Sequence, residues 1–363
     1  MARRILIAGG GTGGHLMPAL AIATALRQLD PDIEPVLIGA ERGVEAKLLP
    51  TREFRYHLLP AEPLYRRQWW KNARWPLVAV RLWKRLGELY RQERPIAVLG
   101  TGGYASAPVV LWGARHGIPA AIQEQNAYPG VASRLLSRFA RHVYLGLPEA
   151  RTLLRAGQQT EFFDTGNPIT PPDPGRRDAA RQRFGLVRDD PVILVTGGSQ
   201  GALALNRATA AWLDEAPPTN AVLLWVTGRG THAEFTRYHA PPGIQVIDFL
   251  DPMADGYAVA DMVVSRAGMI TVAELCAWGL PSVLVPLPTA AADHQTHNAR
   301  VLQQAGAAVL LPQSQLTGAR LRSEVTRMLA DRPRRLAIAN AARSRGRPQA
   351  SHEIASKLLT LAG

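Results

Sequence analysis

The sequence predicts an α/β protein with two domains, each built around a parallel β-sheet. Short apolar strands alternate with longer amphipathic helices through most of the 363 residues, as in chains that wind helices around parallel strands. A chain of this length can bury two separate cores. The proline- and glycine-rich residues 166–175 interrupt the alternation, which then restarts. We therefore expect domains at residues 1–165 and 166–345, then a C-terminal helix, residues 346–363, that packs back on the first domain.

The composition excludes several classes of protein. An apolar content of 47% and a charged content of 20% are typical of a folded globular chain. No apolar run is long enough to span a membrane, and the run after Arg4 breaks at Gly9, which argues against a secretory signal. The single cysteine, Cys276, excludes a disulfide framework and is expected to be a buried thiol in a reducing compartment. The net charge of +13 predicts a polyanionic partner: nucleic acid, a phosphorylated ligand or an anionic membrane surface.

The first predicted unit is a strand at residues 5–7, a glycine loop at residues 9–14 and a helix. This order brings backbone N–H groups and the positive end of a helix dipole up to a phosphate. Gly9, Gly11 and Gly14 also have the G-x-G-x-x-G spacing of dinucleotide sites, although that signal alone indicates only a phosphoryl ligand. His15, at the start of the helix, is unusual in such a loop.

Predicted strands at residues 35–39 and 56–59 precede a basic, tryptophan-rich segment at residues 65–94. Its nine Lys and Arg residues are interleaved with four of the eight tryptophans, a composition typical of a helix lying on an anionic bilayer. An amphipathic helix with some tryptophans in the core, or a nucleic-acid platform, would have the same composition. The residues expected to contact the membrane are Trp69, Trp70, Trp75, Leu77, Trp83, Lys84 and Arg85.

Two further loops follow predicted strands of the first domain. The strand at residues 96–99 leads into a second glycine loop, residues 100–104, and the strand at residues 119–123 ends in Glu124, Gln125 and Asn126. Open α/β sheets bind ligands at the carboxyl ends of their strands, which favours a functional interpretation of the three polar residues. They could also cap the next helix.

The second domain repeats the opening design. A strand at residues 192–195 leads into a third glycine loop, residues 196–201, and a helix from Ala202. Later strands are predicted at residues 222–226, 245–247, 262–264 and 282–285, with helices from about residue 318. Together the two halves suggest an enzyme that holds its ligand in a cleft.

Two polar clusters of the second domain carry possible chemistry. Residues 265–274 place a glycine turn and a helix start after a strand, which suits a pyrophosphate, and Glu274 could bind a ribose diol. Thr271 and Glu274 also match the S/T-x-x-E capping box. Residues 293–298, DHQTHN, could bind sugar hydroxyls; a metal is not expected, because no further ligands stand at paired spacing.

Taken in order, the motifs resemble those of one family. GGGTGGH with Pro18 and Ala19, GTGGY, TGGSQGA, GNP, SRAGMITVAE and DHQTHNA are similar to the motifs of the MurG family over the whole chain. These are membrane-associated UDP-N-acetylglucosamine transferases of peptidoglycan synthesis, which also serves cell shape and division. Their fold, GT-B, has two Rossmann-like domains facing each other across a cleft.

The resemblance implies an inverting hexosyltransferase. It would move N-acetylglucosamine from UDP-N-acetylglucosamine to the 4-hydroxyl of undecaprenyl-pyrophosphoryl-N-acetylmuramyl pentapeptide, converting lipid I to lipid II. The enzyme would be peripheral, on the cytoplasmic face of the cell membrane. No cofactor besides the sugar-nucleotide substrate, and no nucleic-acid partner, is expected.

The resemblance also implies site residues. Leu250 would meet the uracil through its backbone, Glu274 the ribose, and Ser199 with the turn at residues 269–271 the diphosphate. His294 and Gln295 would hold the sugar. The full donor set is Thr12, Gly13, Gly14, Asn126, Thr170, Ser199, Leu250, Met269, Ile270, Thr271, Val272, Ala273, Glu274, His294 and Gln295. The acceptor pyrophosphate would meet the first-domain loops at Gly10, Gly11, Gly102, Gly103 and Tyr104.

Catalysis requires a general base for the attacking hydroxyl, and His15 has a suitable side chain at a cleft-facing loop. His15 could instead cap its helix and orient the acceptor, and Glu124 is a second candidate base. The chain departs from the family pattern G-N-P-V-R, because Gly166, Asn167, Pro168 and Ile169 are followed by Thr170 instead of arginine.

Other functions remain open on the residues alone. A nucleotide-binding oxidoreductase would use the first glycine loop with Glu41 on a ribose, which leaves the second-domain clusters unexplained. A non-catalytic basic protein that binds RNA or membrane would explain only the charge. Within the enzymes, a relative that glycosylates another lipid and a UDP-sugar epimerase of the same fold are the alternatives.

Overall fold

The computed structural model describes residues 3–11, 13–63, 69–186, 189–198 and 200–363. The chain forms two compact domains that divide after Ile169 and again after Pro348, so that residues 349–363 belong to the first domain. The sequence analysis placed these boundaries at residues 166 and 346, within a few positions of both divisions.

The first domain contains a parallel sheet of seven strands in the order β3-β2-β1-β4-β5-β6-β7. Its strands are β1 (Arg3–Gly9), β2 (Ile33–Ala40), β3 (Arg55–Leu59), β4 (Ala97–Gly102), β5 (Ala120–Glu124), β6 (His142–Leu145) and β7 (Glu161–Phe163). Its helices before the domain boundary are α1 (Gly13–Leu29), α2 (Glu45–Leu48), α3 (Trp75–Glu93), α4 (Ser106–Arg115) and α5 (Val131–Leu136). Short 3-10 helices cover Leu49–Thr51, Trp69–Arg74 and Pro148–Leu153.

The second domain contains a parallel sheet of six strands in the order β10-β9-β8-β11-β12-β13. Its strands are β8 (Val192–Thr196), β9 (Val222–Val226), β10 (Ile244–Ile247), β11 (Met262–Ser265), β12 (Ser282–Leu284) and β13 (Val309–Leu310). Its helices are α6 (Arg177–Arg183), α7 (Leu203–Glu215), α8 (His232–Phe235), α9 (Met253–Val259), α10 (Met269–Trp278), α11 (His294–Gln304), α12 (Gly318–Ala330) and α13 (Arg332–Arg345). Short 3-10 helices cover Pro174–Arg176, Thr236–Tyr238, Ala291–Asp293 and Gln313–Gln315.

The C-terminal helix α14 (Ala350–Ala362) completes the first domain by packing against α1. Its buried residues Ile354, Ala355 and Leu358 share an apolar cluster with α1 and one face of the sheet. Helices α3, α4 and α5 cover the other face. Both faces of the central strands are therefore buried, which explains why these strands are continuous apolar runs without alternation.

Every strand predicted from the sequence is present, with ends that differ by three residues at most. The prediction did not name β6, β7 and β13, which have four, three and two residues. Runs this short carry too little periodicity to be recognised, and β7 and β13 need only pair on one side because they are edge strands. None of the helices in the described ranges combines the length and the apolar character needed to cross a bilayer.

Candidate active site

The first-domain loops predicted to bind ligand lie at one edge of its sheet. They follow β1, β4 and β5, which are neighbours in the sheet, so the carboxyl ends of these strands are adjacent. The two glycine loops are in close contact: a Cβ on Gly103 would lie 1.8 Å from the carbonyl oxygen of Gly10. Gly102 and Gly103 also have positive φ, at 103° and 81°. Only glycine fits both requirements at these positions.

His15 is held against the second glycine loop. Its Nδ1 lies 3.1 Å from the carbonyl oxygen of Thr101, and the Thr101 hydroxyl donates to the carbonyl oxygen of His15 at 2.9 Å. A carbonyl oxygen only accepts, so Nδ1 carries the proton and the lone pair of the neutral ring lies on Nε2. The contact thus fixes the tautomer that a general base acting through Nε2 requires.

A buried network of neutral side chains supports the same carbonyl. The Gln125 amide donates to the oxygen of Thr101 and to Gln123 Oε1, both at 2.5 Å. Gln123 donates to Asn167 Oδ1 at 2.9 Å, and Asn167 donates to the backbone oxygen of Gln125 at 3.1 Å. Asn167 belongs to the predicted G-N-P motif, so this motif packs against the end of β5 and lies within the first domain.

Glu124 holds the loop that follows β5. Its Oε1 accepts from the backbone N–H and the side-chain amide of Asn126 at 2.9 and 3.2 Å, and its Oε2 accepts from Gly130 N–H at 3.0 Å. The carboxylate is only 3% exposed. Both oxygens are engaged in shaping the loop, which makes Glu124 less suited than His15 to receive a substrate proton.

The amide of Gly11 is not available to a phosphate, contrary to the role expected for this loop residue. Gly11 N–H donates to both carboxylate oxygens of Glu45, at 2.9 and 3.0 Å. The ring of Tyr104 lies against Gly11, where a Cβ would approach its Cε1 to 2.8 Å. Gly13 and Gly14, at the start of α1, are exposed, and the space around Gly13 is open. Gly13 and Gly14, in the first turn of α1, are thus the exposed glycines of this loop.

The sequence analysis did not single out Glu45. It named Glu41 as the acid that a dinucleotide site would use, but Glu41 is exposed whereas Glu45 is completely buried. The available signal was the pair of glycines Gly39 and Gly43, which flank residues 40–42, and its meaning depends on the contacts of Glu45 with the distant loop at Gly10.

In the second domain, helix α10 begins at Met269 with Gly268 as its N-cap, and no side chain caps it. Thr271 therefore lies inside the first turn, and the capping-box interpretation of Thr271 and Glu274 is wrong. Gly268 is still extended, with φ −66° and ψ 138°, and the helix begins at the next residue, Met269, which is two positions before Thr271. The first-turn amides of Met269, Ile270 and Thr271 have no intrahelical acceptor and suit a diphosphate.

The residues that follow Thr271 on α10 differ in burial. Val272 is buried and its N–H donates to the Gly268 oxygen at 2.9 Å, so it packs the helix onto the sheet instead of facing a ligand. Ala273 and Glu274 are half-buried. The Tyr257 hydroxyl of α9 donates to Glu274 Oε2 at 2.9 Å.

Burial raises the pKa of Glu274 to about 7, against the opposing effect of the Tyr257 hydrogen bond. The carboxyl group therefore changes protonation near neutral pH. As a carboxylate it can accept from two neighbouring hydroxyl groups, which is the recognition that a ribose diol requires.

Buried polar side chains fix the turn before α10. Arg266 Nη1 donates to the carbonyl oxygens of Val285 and Pro286 at 3.1 and 3.2 Å. Asn298 of α11 donates to the Ala267 oxygen at 3.3 Å. Arg266 also places a positive charge in this part of the domain, although burial lowers the pKa of its guanidinium.

The predicted sugar-binding residues lie at the start of α11. Gln295 Oε1 accepts from Leu287 N–H at 2.9 Å, so the orientation of its amide is fixed. His294 Nδ1 lies 2.8 Å from the Ala291 oxygen and therefore donates to it. Since Asn298 ties α11 to the residue before Gly268, the sugar and diphosphate candidates belong to one rigid unit.

The other predicted donor residues are placed less closely. Leu250 is buried just beyond the carboxyl end of β10, and Thr170 is exposed at the first position of the second domain. Thr12, Ser199 and the side chain of Trp69 lie outside the described residues, as do Arg66 and Arg67 of the basic segment.

The basic, tryptophan-rich segment forms a 3-10 helix and then α3. Trp70, Leu77 and Trp83 are 59%, 70% and 50% exposed, and Lys84 and Arg85 are exposed beside them. Trp75 is half-buried, so only part of its ring can reach a partner. The buried side of α3, with Leu86, Leu89 and Tyr90, packs on the sheet.

Trp83 also packs edge-on against Trp112 of α4 at a centroid distance of 4.4 Å, and Trp112 stacks on His116 at 4.6 Å. These rings border an open groove of about 660 Å³, which Lys84 and Arg91 also line.

Neither a metal cluster nor a reactive thiol is found. The described ranges contain no group of three or more His, Cys, Asp or Glu residues that could hold an ion. Cys276 is buried within α10, and burial raises the pKa of its thiol to about 12.

Comparison with known proteins places both domains. Residues 5–145 match the glycosyltransferase family 28 N-terminal domain, and residues 192–354 match its C-terminal domain. The UDP-N-acetylglucosamine--N-acetylmuramyl-(pentapeptide) pyrophosphoryl-undecaprenol N-acetylglucosamine transferase of Moorella thermoacetica is 41% identical over 98% of both chains.

Solved structures agree in fold. The crystal structure of MurG from Acinetobacter baumannii matches with a TM-score of 0.79 and 29% identity over 99% of both chains. The UDP-GlcNAc 2-epimerase from Neisseria meningitidis, bound to UDP-GlcNAc, matches with a TM-score of 0.67 at 14% identity over 99% of this chain and 100% of the other. That second likeness concerns the fold alone.

Proposed function

The chain belongs to the MurG family of glycosyltransferases, and from this premise we propose its reaction and its site residues. It transfers N-acetylglucosamine from UDP-N-acetylglucosamine to the 4-hydroxyl of undecaprenyl-linked N-acetylmuramyl pentapeptide. The two Rossmann-like domains are those of the GT-B fold. The reaction is a step of peptidoglycan synthesis and, through it, of cell shape and division.

The observation that carries this proposal is the start of α10. Among the described residues no side chain caps its first turn, and Glu274 follows one turn later beside the Tyr257 hydroxyl. Diphosphate and ribose recognition therefore lie on one helix. As UDP departs, negative charge grows on the diphosphate, and oriented amides with the helix dipole stabilise it without a bound metal.

The first domain provides the acceptor side. Gly10, Gly11, Gly102, Gly103 and Tyr104 line the region for the acceptor pyrophosphate, with the N–H of Gly11 engaged by Glu45, and Gly13 and Gly14 at the start of α1 are donor contacts. His15 takes the proton of the attacking hydroxyl on Nε2, because Thr101 holds its Nδ1–H. Asn126, oriented by Glu124, lines the same edge of the sheet.

Transfer is tested with purified protein, a short-chain muramyl-pyrophosphoryl lipid and UDP-N-acetylglucosamine labelled in the sugar. We expect label in the lipid product and acceptor-dependent release of UDP, with little transfer from the matched donor UDP-N-acetylgalactosamine. Formation of a 2-epimer without acceptor would instead indicate an epimerase. Donor binding without transfer to this lipid would indicate another lipid acceptor, and binding of NADH instead of the donor would indicate an oxidoreductase.

We also infer that the exposed face of α3 rests on the cytoplasmic leaflet, where the lipid substrate lies. Leu77, Val80 and Trp83 expose apolar surface next to Lys84 and Arg85. Lysine and arginine near an anionic surface contribute about 1 kcal/mol each. The exposed apolar residues Val131, Leu135 and Phe139 extend this surface, because the buried sides of α3 and α5 pack on the same face of the sheet.

Vesicle co-sedimentation tests the membrane contact. The protein should bind phosphatidylglycerol vesicles and release at high salt, and it should bind phosphatidylcholine vesicles weakly. Leu77→Ser should weaken binding to the anionic vesicles. The matched control is Leu336→Ser, since Leu336 is an exposed leucine of α13 in the second domain. Equal binding by the two variants would exclude α3 as the contact.

A further inference from the structure

Glu45 is a buried carboxylate at the base of the first glycine loop, and the proposed reaction does not use it. It is the first residue of α2, it follows β2, and it has no exposed surface. Its Oε1 accepts from Ala40 N–H at 3.0 Å, and both oxygens accept from Gly11 N–H at 2.9 and 3.0 Å. One side chain thus joins the end of β2 to the loop that follows β1.

Three glycines leave the space that this side chain occupies. A Cβ on Gly10 would lie 2.0 Å from Glu45 Oε1, one on Gly39 would lie 2.3 Å from its Cγ, and one on Gly43 would lie 2.2 Å from its Cδ. Gly10, Gly39 and Gly43 are not among the glycines with positive φ. Their missing side chains are therefore required by the space around Glu45 and not by the backbone conformation.

The contact determines which amides of the loop face a ligand. Gly11, with φ at 91°, turns its N–H inward to Glu45. The chain then enters α1 at Gly13, and His15 follows in the first turn. A shift of the loop at Gly11 would therefore move both the first turn of α1 and the imidazole of His15.

We propose that Glu45 is a positioning residue for the acceptor half of the reaction, an inference that rests on the proposed function of this loop. It touches no substrate. It acts by holding the loop at Gly11, so that Gly10 and His15 meet the acceptor in a productive geometry. Its effect falls mainly on the acceptor, because His15 lies on this loop whereas the proposed donor contacts of α10 and α11 belong to the other domain; Gly13 and Gly14 are the proposed donor contacts nearest to Glu45.

The test compares four variants with wild type in steady-state transfer, in equilibrium binding of UDP-N-acetylglucosamine and in thermal unfolding. Glu45→Ala removes all three hydrogen bonds, and Glu45→Gln keeps an oxygen that can serve both N–H groups. Gly39→Ala crowds Glu45 from β2 without touching the loop. Glu93→Gln is the control: Glu93 is also buried, but it binds Arg55 and His57 of β3 instead of the first glycine loop.

We expect Glu45→Ala and Gly39→Ala to lower kcat/KM for the lipid acceptor by roughly 10²-fold, the usual cost of a misplacement of about 1 Å. Glu45→Gln should be intermediate, and the donor Kd should change much less than the acceptor kcat/KM, because the proposed donor contacts of α10 and α11 lie in the other domain. Glu93→Gln should lower the unfolding temperature and leave both constants unchanged.

An unchanged acceptor kcat/KM in folded Glu45→Ala would overturn the inference, as would a parallel loss of donor binding. If Glu45→Ala does not fold, Glu45→Gln and Gly39→Ala decide. Hydrogen exchange tests whether Glu45 holds the loop independently of whether the proposed reaction is correct. Even if wild type does not glycosylate the lipid, exchange over residues 9–15 should rise in Glu45→Gln while exchange in β5 stays unchanged; equal protection would refute the role.

Discussion

Replacing Glu274 with glutamine should remove the pH dependence of donor binding near neutrality. Burial raises the pKa of Glu274 to about 7, and in the proposed site the ionised form is the one that can accept hydrogen bonds from both ribose hydroxyls. The diphosphodiester of UDP-N-acetylglucosamine does not titrate between about pH 6 and pH 8, so the donor itself adds no pH dependence in that range.

The magnitude follows from the titration. With a pKa of about 7, the carboxylate fraction rises from about one tenth at pH 6 to about nine tenths at pH 8, so the donor Kd should fall nearly tenfold. Glu274→Gln should bind with a flat pH profile. Its affinity at pH 8 should be about 10- to 100-fold weaker than wild type, since hydrogen bonds to a charged group contribute about 1.5–3 kcal/mol.

Tyr257→Phe provides a second, opposite perturbation at the same site. The Tyr257 hydroxyl donates to Glu274 and lowers the pKa of its carboxyl group. Removal of the hydroxyl should therefore move the midpoint of donor affinity against pH to higher pH without removing the pH dependence. Isothermal titration calorimetry with UDP-N-acetylglucosamine, without acceptor, measures the donor Kd apart from His15 chemistry. Equal pH profiles for wild type and Glu274→Gln would refute the assignment of the ribose to Glu274.

Three further predictions concern stability and turnover. Glu274→Gln should raise the unfolding temperature at pH 8 but not at pH 4, and differential scanning calorimetry at both pH values checks this. Because folding raises the pKa of Glu274, the folded protein loses stability as pH rises through about 4.5 to 7, and glutamine removes that loss. His15→Ala should lower kcat by roughly 10²-fold or more if His15 is the base, and near-normal kcat with a raised acceptor KM would assign it to binding instead. Asp255→Asn should cost about 1–3 kcal/mol at pH 7, because desolvation of Asp255 is outweighed by its hydrogen bonds to Arg176 and Arg183, which hold its pKa below the usual value; urea unfolding should show this cost shrinking as pH falls through that pKa.

The sequence predicted the elements whose signal is local. The runs at β1 and β8 are apolar because both faces of these strands are buried, and the glycine loops after them are visible without any tertiary information. The start of α10 was less certain, because Gly268 and the Thr271–Glu274 spacing offer two helix starts. The structure selects the earlier one, since the backbone leaves β11 extended and turns at Gly268.

Features that depend on distant contacts could not be predicted. Gln123 meets Asn167 across 44 positions of sequence, and Gly11 meets Glu45 across 34. Neither pair has a spacing pattern, because strand order brings the partners together. Gln123 lies on β5 and Asn167 follows β7, two strands away in the sheet, whereas Gly11 follows β1 and Glu45 follows the neighbouring strand β2. The tautomer of His15 likewise depends on a carbonyl group 86 positions away.

The first glycine loop and the turn before α10 are chemically different, although each leads from a strand into a helix. In the first domain the buried group beneath the loop is the carboxyl group of Glu45, which engages an amide that a phosphate could have used. In the second domain the buried group beside the turn is the guanidinium of Arg266, and the helix start is uncapped. A diphosphate that gains charge as it leaves is stabilised by the second environment and less by the first. This difference in charge supports the proposal that the donor binds to the second domain, where Arg266 is the buried cation beside the turn.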